Sequence, residues 1–269
     1  MTRVDIIAAK GTEELLDEAF YALAGGLWVK DEATSVRITC YPADPGRLLA
    51  YLREAAIETH SVTETEEEAK DYAAEVRKHF TPVRIGGLTI LPPWRRPGKK
   101  GRTIVIEPGM AFGTGRHEST KLMAAMMEHV RIDGRTVLDI GSGSGILAIN
   151  ALLLGASRVA AIDHDPLAAE AMKKSCDLNG RPCILLACAD MDGVKGHYDV
   201  VLANLNFSTF ERRAHDVVGK VAPGGCLLVS GIEAQHADKA PDLFAPLVLA
   251  GHRKMKEWHA FIFKRGGLP

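Results

Sequence analysis

Three alternating glycines, in Gly141-Ser142-Gly143-Ser144-Gly145, follow directly on an apolar run from Thr136 to Ile140 that carries Asp139 near its end. Glycines so placed permit positive φ and let backbone N–H groups approach a ligand with no Cβ in the way. Twenty-two residues after Gly141, a second apolar run (Val159 to Ile162) ends on Asp163. A carboxylate at that point can accept both ribose hydroxyl hydrogens of a nucleotide. The plainer role for Asp163 is a helix N-cap, because Asp165-Pro166 begins a helix close by. Strand end and spacing together favour the ribose. The dinucleotide fingerprint is G-x-G-x-x-G, which these glycines do not match. A nicotinamide-dependent oxidoreductase is therefore disfavoured, and no second catalytic constellation suits one.

The elements that must hold these residues are legible around them. Thr136 to Ile140 reads as a buried strand and Ile146 to Leu154 as a helix packed on a sheet, so strand, glycine turn and helix make half of a βαβ unit. Further strands are expected at Ile184 to Ala187, Asp199 to Ala203 and Cys226 to Ser230, the last after a Pro223-Gly224-Gly225 turn. His252 to Lys256 and Trp258 to Lys264 read as an antiparallel hairpin. Upstream, Thr103 to Ile106 is strand-like and precedes the glycine-rich stretch Glu107 to Thr120. That stretch reads as a mobile loop closing over a site, with Ser119 or Thr120 capping a helix from Lys121 to His129. His117 in it is more simply a local hydrogen-bonding group than a base.

Residues 1–62 have a different character. Val4 to Ala9, Leu27 to Val29, Val36 to Tyr41 and Ile57 to Thr63 are strand-like. A helix capped by Thr12 and a second opened by Asp44-Pro45 stand between them. The order β-α-β-β-α-β is ferredoxin-like, and nothing in it looks catalytic. Such a domain suits substrate recognition. Residues 63–80, charged and with helical spacing from Glu64 to His79, read as a connecting helix, which leaves 81–269 as the nucleotide-binding domain. Pro82 to Leu91 is a hairpin turning at Gly86-Gly87. Residues 94–102 hold five basic residues and Trp94. A weak contact with ribosomal RNA or with an acidic surface would use them, although a solvated, proline-stiffened loop is the plainer reading.

Composition bounds the rest. The 269 residues carry a net charge of −1 with 25% charged residues, so no global field favours nucleic acid or an anionic membrane. The longest apolar stretch, Ile146 to Leu154, is interrupted by Asn150 and is too short to span a bilayer. The first residues lack the apolar core of a signal peptide. Five cysteines contain no C-x-x-C pair, so buried thiols in a reducing cytoplasm are expected rather than disulfides or a metal site.

The motifs EPGMAFGTGRHEST, VLDIGSGSGILAI, AIDHDP and VLANLN together resemble the PrmA family, which methylates large-subunit ribosomal protein eleven. The Gly-Thr-Gly loop with its histidine is the discriminating motif, and the resemblance spans the chain. It implies a class I methyltransferase fold: a Rossmann-like, seven-stranded sheet with a C-terminal antiparallel hairpin, α/β in class, behind the small ferredoxin-like α+β domain. It implies S-adenosylmethionine as cofactor, held at positions mapping onto Thr120, Gly141, Asp163 and Asn204, with Gly143 and Gly145 in the same loop. It implies lysine or N-terminal amines of a ribosomal protein as acceptors; another protein lysine, or an inert cofactor-binding module, are the alternatives. Within that fold Asp190, after the third strand, is placed to accept from the adenine amine, and a loop aspartate is the even alternative. Asn204 would orient the acceptor amine through its side-chain carbonyl, with a strand-end turn as its plainer role. Phe112 and His117 would cover the acceptor and cofactor when the loop shuts. Two departures stand out: the family's tryptophans in the connecting helix are replaced around Asp71-Tyr72 and Val76, and its Asn-Ile-Leu is Asn204-Leu205-Asn206. The second lies near the acceptor side. Amino-methylating nucleic-acid enzymes follow their Asn or Asp with two prolines, so Leu205-Asn206 weighs against a base as substrate.

Overall fold

The computed structural model describes residues 2–12, 16, 20, 23–25, 27–55, 57–66, 81–95, 101–107, 115–181 and 184–267. The chain divides into two compact units, Met1–Glu75 and Val76–Pro269.

In the first unit, β1 (Thr2–Ala9), β2 (Leu27–Asp31), β3 (Ser35–Cys40) and β4 (Thr59–Glu66) form an antiparallel sheet in the order β2-β3-β1-β4. Period-two alternation on β1 buries Val4, Ile6 and Ala8 on one face. Against them pack Phe20 and, from helix α1 (Pro45–Glu54), Leu48 and Leu52. Asp44 caps α1, its carboxylate accepting from Arg47 N, with Pro45 in the first turn as its fixed φ favours. Strand β4 runs on to Glu66, paired to Thr2, so Glu64 to Glu66 are strand rather than the start of a connecting helix. The expected boundary at residue 62 falls inside this strand. The polar run Thr63 to Glu66 lacks an apolar stripe of either period, and ladder pairing with β1 decides it. The rest of the expected connecting helix, 67–80, lies outside the described residues.

The second unit holds two sheets. β5 (Val83–Ile85) and β6 (Leu88–Leu91) form the expected hairpin at Gly86-Gly87, and β7 (Arg102–Val105) runs parallel to β6. The larger sheet has seven strands: β8 (Thr136–Ile140), β9 (Arg158–Asp163), β10 (Ile184–Cys188), β11 (Tyr198–Asn204), β12 (Val221–Glu233), β13 (Val248–Met255) and β14 (Trp258–Lys264). Their order is β10-β9-β8-β11-β12-β14-β13, parallel except for the closing hairpin. Each central strand is apolar on both faces, as a sheet covered on both sides requires. Val137, Val159, Ala161, Val200 and Leu202 face one core, with helices α2 (Glu118–Met127) and α3 (Ile146–Leu153) and part of α4 (Pro166–Leu178). Leu138, Ile140, Ile162, Val201 and Ala203 face the other, with α5 (Phe207–Gly219) and Phe244 beside the short helix α6 (Ala240–Leu243). This is the doubly wound plan, and its strand order reverses direction between β8 and β11.

Two expectations about this unit are corrected. Helix α2 begins at Glu118 with His117 as its N-cap, not Ser119 or Thr120. The His117 ring nitrogen takes over the cap by accepting from Ser119 N, which leaves both hydroxyls inside the first turn. Strand β12 is also far longer than Cys226 to Ser230. The Pro223-Gly224-Gly225 stretch is absorbed as an irregularity in pairing with β11, whose register jumps from Tyr198↔Val221 to Val200↔Cys226.

Candidate functional site

Gly141, Gly143 and Gly145 all have positive φ, of 67°, 52° and 77°. At Gly141 a side chain is disfavoured by that φ, and a Cβ would also press on Leu205 Cδ2, the end of a flexible side chain. The turn is closed by Gly145 N donating to Ser142 O (2.8 Å) and by Ser142 N donating to Ile162 O (3.0 Å). Beneath it, Asp139 is 1% exposed. Its Oδ2 accepts from Ala148 N at 3.0 Å in the first turn of α3, while its Oδ1 is buried without a hydrogen-bond partner among the described residues. Burial, opposed by the Ala148 bond and helped by the nearby Asp163 charge, pushes the Asp139 carboxyl up to about 7.

Asp163, at the end of β9, accepts from Gly143 N (2.9 Å) and Asp165 N (3.1 Å). It therefore fixes the glycine turn against the second strand. The helix cap that was its plainer role is performed by Asp165, which accepts from Leu167 N (2.8 Å). Asp190 accepts from its neighbour Met191 N (2.6 Å) and from Arg213 Nη1 of α5 (3.1 Å). The backbone bond first, and then the guanidinium, hold its carboxyl below the ordinary range. Arg213 also reaches Asp192 (2.7 Å) and Asp216, so it clamps the loop after β10 to α5.

Across the switch point, Asn204 ends β11, and its amide nitrogen donates to Thr120 Oγ1 at 3.4 Å. Thr120 and Ser119 are each 1% exposed, and Thr120 meets the site through Asn204. His117 Nδ1 lies 2.8 Å from Ser119 Oγ, and its ring meets Trp258 edge-on with centroids 4.6 Å apart. Glu118 beside it bonds Lys256 at 2.7 Å, tying the start of α2 to the turn between β13 and β14. Phe112 lies outside the described residues.

A cavity of about 530 Å³ opens at the carboxyl ends of these strands, where the doubly wound plan puts ligands. Of the residues singled out from sequence, His117, Gly141, Asp163, Asp190 and Asn204 line it. Leu205 and Asn206, the departure noted near the acceptor side, also line it, whereas Phe207, Gly231, Glu233, His236 and Trp258 were not singled out as site residues. Gly231 could have been suspected from its place after an apolar strand. A Cβ there would strike the Leu205 carbonyl, so the residue lets the backbone after Asn204 lie against β12. His236 stacks flat on Phe207 with centroids 4.1 Å apart. Among the described residues there is no cluster of three or more metal-ligating side chains, and no helix is long and apolar enough to cross a membrane.

Residues 18–266 match the family described as ribosomal protein L11 methyltransferase (PrmA). The ribosomal protein L11 methyltransferase of Geobacter metallireducens is 40% identical over 218 residues, covering 79% of this chain and 72% of that protein. Its counterpart from Streptococcus mutans is 34% identical over 242 residues, covering 86% of this chain and 76% of that protein. Among solved structures, ribosomal protein L11 methylase from Lactobacillus delbrueckii subsp. bulgaricus superimposes with a TM-score of 0.65 at 27% identity, covering 70% of this chain and all of that one.

Proposed function

The chain belongs to the PrmA family and is a methyltransferase; from that premise we propose that it moves methyl groups from S-adenosylmethionine to amines of ribosomal protein L11. The observation that carries the proposal is one cavity joining the Gly141 turn and Asp163 to Asn204 across the strand-order reversal. The residues present fit the cofactor. A positive-φ glycine turn at Gly141 suits an amino-acid tail lying on backbone. Asp163 suits the ribose hydroxyls and Asp190 the adenine amine. The buried, unpartnered oxygen of Asp139 beneath the same turn suits a site that gains positive charge when filled. Bound there, S-adenosylmethionine supplies a methyl group on a positively charged sulfur that is already a good leaving group.

What the chain itself must do is align, dehydrate and accept hydrogens. Asn204 uses its amide nitrogen on Thr120, which commits its carbonyl oxygen to accepting a hydrogen from the incoming amine. The amine must arrive unprotonated, whereas free lysine has a pKa of about 10.4. Leu205 and the buried strand end beside Asn204 lower that barrier by disfavouring the ammonium in an apolar setting. His117, held by Ser119 and Trp258, would help close the site against water, as the family resemblance also implies for Phe112. The N-terminal sheet unit would recognise the protein substrate, and residues 94–102 would contribute at most a weak ribosomal RNA contact. A ribosomal substrate makes the cytoplasm the place of action.

The test is transfer of labelled methyl from S-adenosylmethionine to purified L11, followed by mass spectrometry of the product. Methylated lysine or α-amine is expected. Tight cofactor binding by calorimetry with no product would favour an inert module, and binding of NAD in place of S-adenosylmethionine would overturn the reading altogether.

A further inference from the structure

The cavity continues past Asn204 toward β12 and β14, and on that side its wall carries one carboxylate, Glu233. Glu233 ends β12 and pairs in register with Trp258, the first residue of β14. Among the described residues its carboxylate receives one hydrogen bond, from Gln235 Nε2 at 2.9 Å, and no ion pair. The other two carboxylates of the wall are compensated. Asp190 faces Arg213 at 3.1 Å, and Asp163 accepts two backbone amides. No lysine or arginine lines the cavity among the described residues. Around Glu233 the wall is therefore acidic and aromatic, which suits a cation there rather than at the amine beside Asn204, while Lys239 Nζ lies 5.6 Å from the centroid of Phe207.

Position decides which cation. Asn204 stands opposite Ser230 in the ladder, and Glu233 lies three residues further along β12. At about 3.3 Å per residue that is roughly 8 to 10 Å, allowing for the bulge between Val229 and Ile232. This is longer than a lysine side chain. An amine nitrogen reacting beside Asn204 therefore leaves Glu233 close to the residues that flank the acceptor. We propose that Glu233, with the Trp258 ring beside it, holds a second positive charge on the acceptor polypeptide, next to the amine that is methylated. It is a specificity-determining residue: it selects amines in a basic neighbourhood and takes no part in the transfer itself. The inference rests on reading the site as an amine-methylating centre.

The experiment uses the full-length enzyme and its E233Q variant with purified L11. Mass spectrometry of the wild-type product locates the methylated amines, and a second L11 carries Gln in place of the Lys or Arg beside one of them. E233Q should lose about tenfold in kcat/KM on unaltered L11, mostly through KM, the loss expected of one charge-assisted contact. Its affinity for S-adenosylmethionine should be unchanged, which also reports that the variant is folded. Neutralising the flanking charge should cost the wild type a similar factor and cost E233Q little more. Equal sensitivity of both enzymes to that charge, or methylated amines with no basic residue beside them, would overturn the proposal. If the wild type methylates no amine of L11, the reading of the whole site falls and this inference with it. If it methylates L11 and E233Q matches it, only the role of Glu233 falls.

Discussion

Replacing Asp139 by Asn separates the cost of a buried charge from everything else at the glycine turn. A carboxyl that ordinarily ionises near 3.8 and here ionises at about 7 binds its proton about a thousandfold more tightly in the folded protein. Each tenfold is worth about 1.4 kcal/mol, so the ionised form is disfavoured by roughly 4 kcal/mol. Because the folded-state value is raised, this group's contribution to stability is fully present below pH 3.8. It is lost as pH rises toward about 7, and stays lost above that. Asparagine cannot ionise, yet its carbonyl can still accept from Ala148 N as Asp139 Oδ2 does at 3.0 Å. Its amide nitrogen takes the place of the unpartnered Oδ1, a cost of about 1–3 kcal/mol that does not vary with pH. Urea unfolding of both proteins at pH 4, 6 and 8 is the assay. The variant's stability relative to wild type should improve by about 4 kcal/mol between pH 4 and pH 8, whatever its absolute value. A difference that stays flat across this range would refute the assignment of a raised, burial-driven ionisation to Asp139.

Two further outcomes are expected on the cofactor side. By calorimetry, Asp163→Ala should weaken S-adenosylmethionine binding far more than Asn204→Ala does, since it removes the proposed ribose acceptor and also frees Gly143 N and Asp165 N; equal losses would contradict the ribose role. Gly141→Ala forces a methyl group onto Leu205 at a φ of 67°. It should cost about 1–2 kcal/mol in thermal stability from the backbone alone and reduce cofactor affinity as well; an unchanged melting temperature would show that the turn relaxes freely.

The Gly141 and Asp163 side of this cavity was readable in the sequence because its signals are local. A glycine turn after a strand, and an acid at the end of the next strand, are set by backbone conformation within a few residues. That is why the Gly141 turn, Asp163 and the strand ending at Asn204 could be named before any coordinates. Local signals also misled where pairing overrode them. Glu64 to Glu66 were drawn into β4, and His117 displaced the two hydroxyl residues as the cap of α2. The opposite side was hidden for a different reason. Glu233, His236 and Trp258 lie on β12, on the turn after it and on β14, elements whose neighbours in sequence do not announce a site. Only the order β8-β11-β12-β14 carries them to the mouth beside Asn204. Sequence by itself determined the nucleotide-type turn and its carboxylate, because those depend on φ and on period. The tertiary fold decided what stands opposite them, because sheet order is set by burying both faces at once, and no short stretch of chain encodes that.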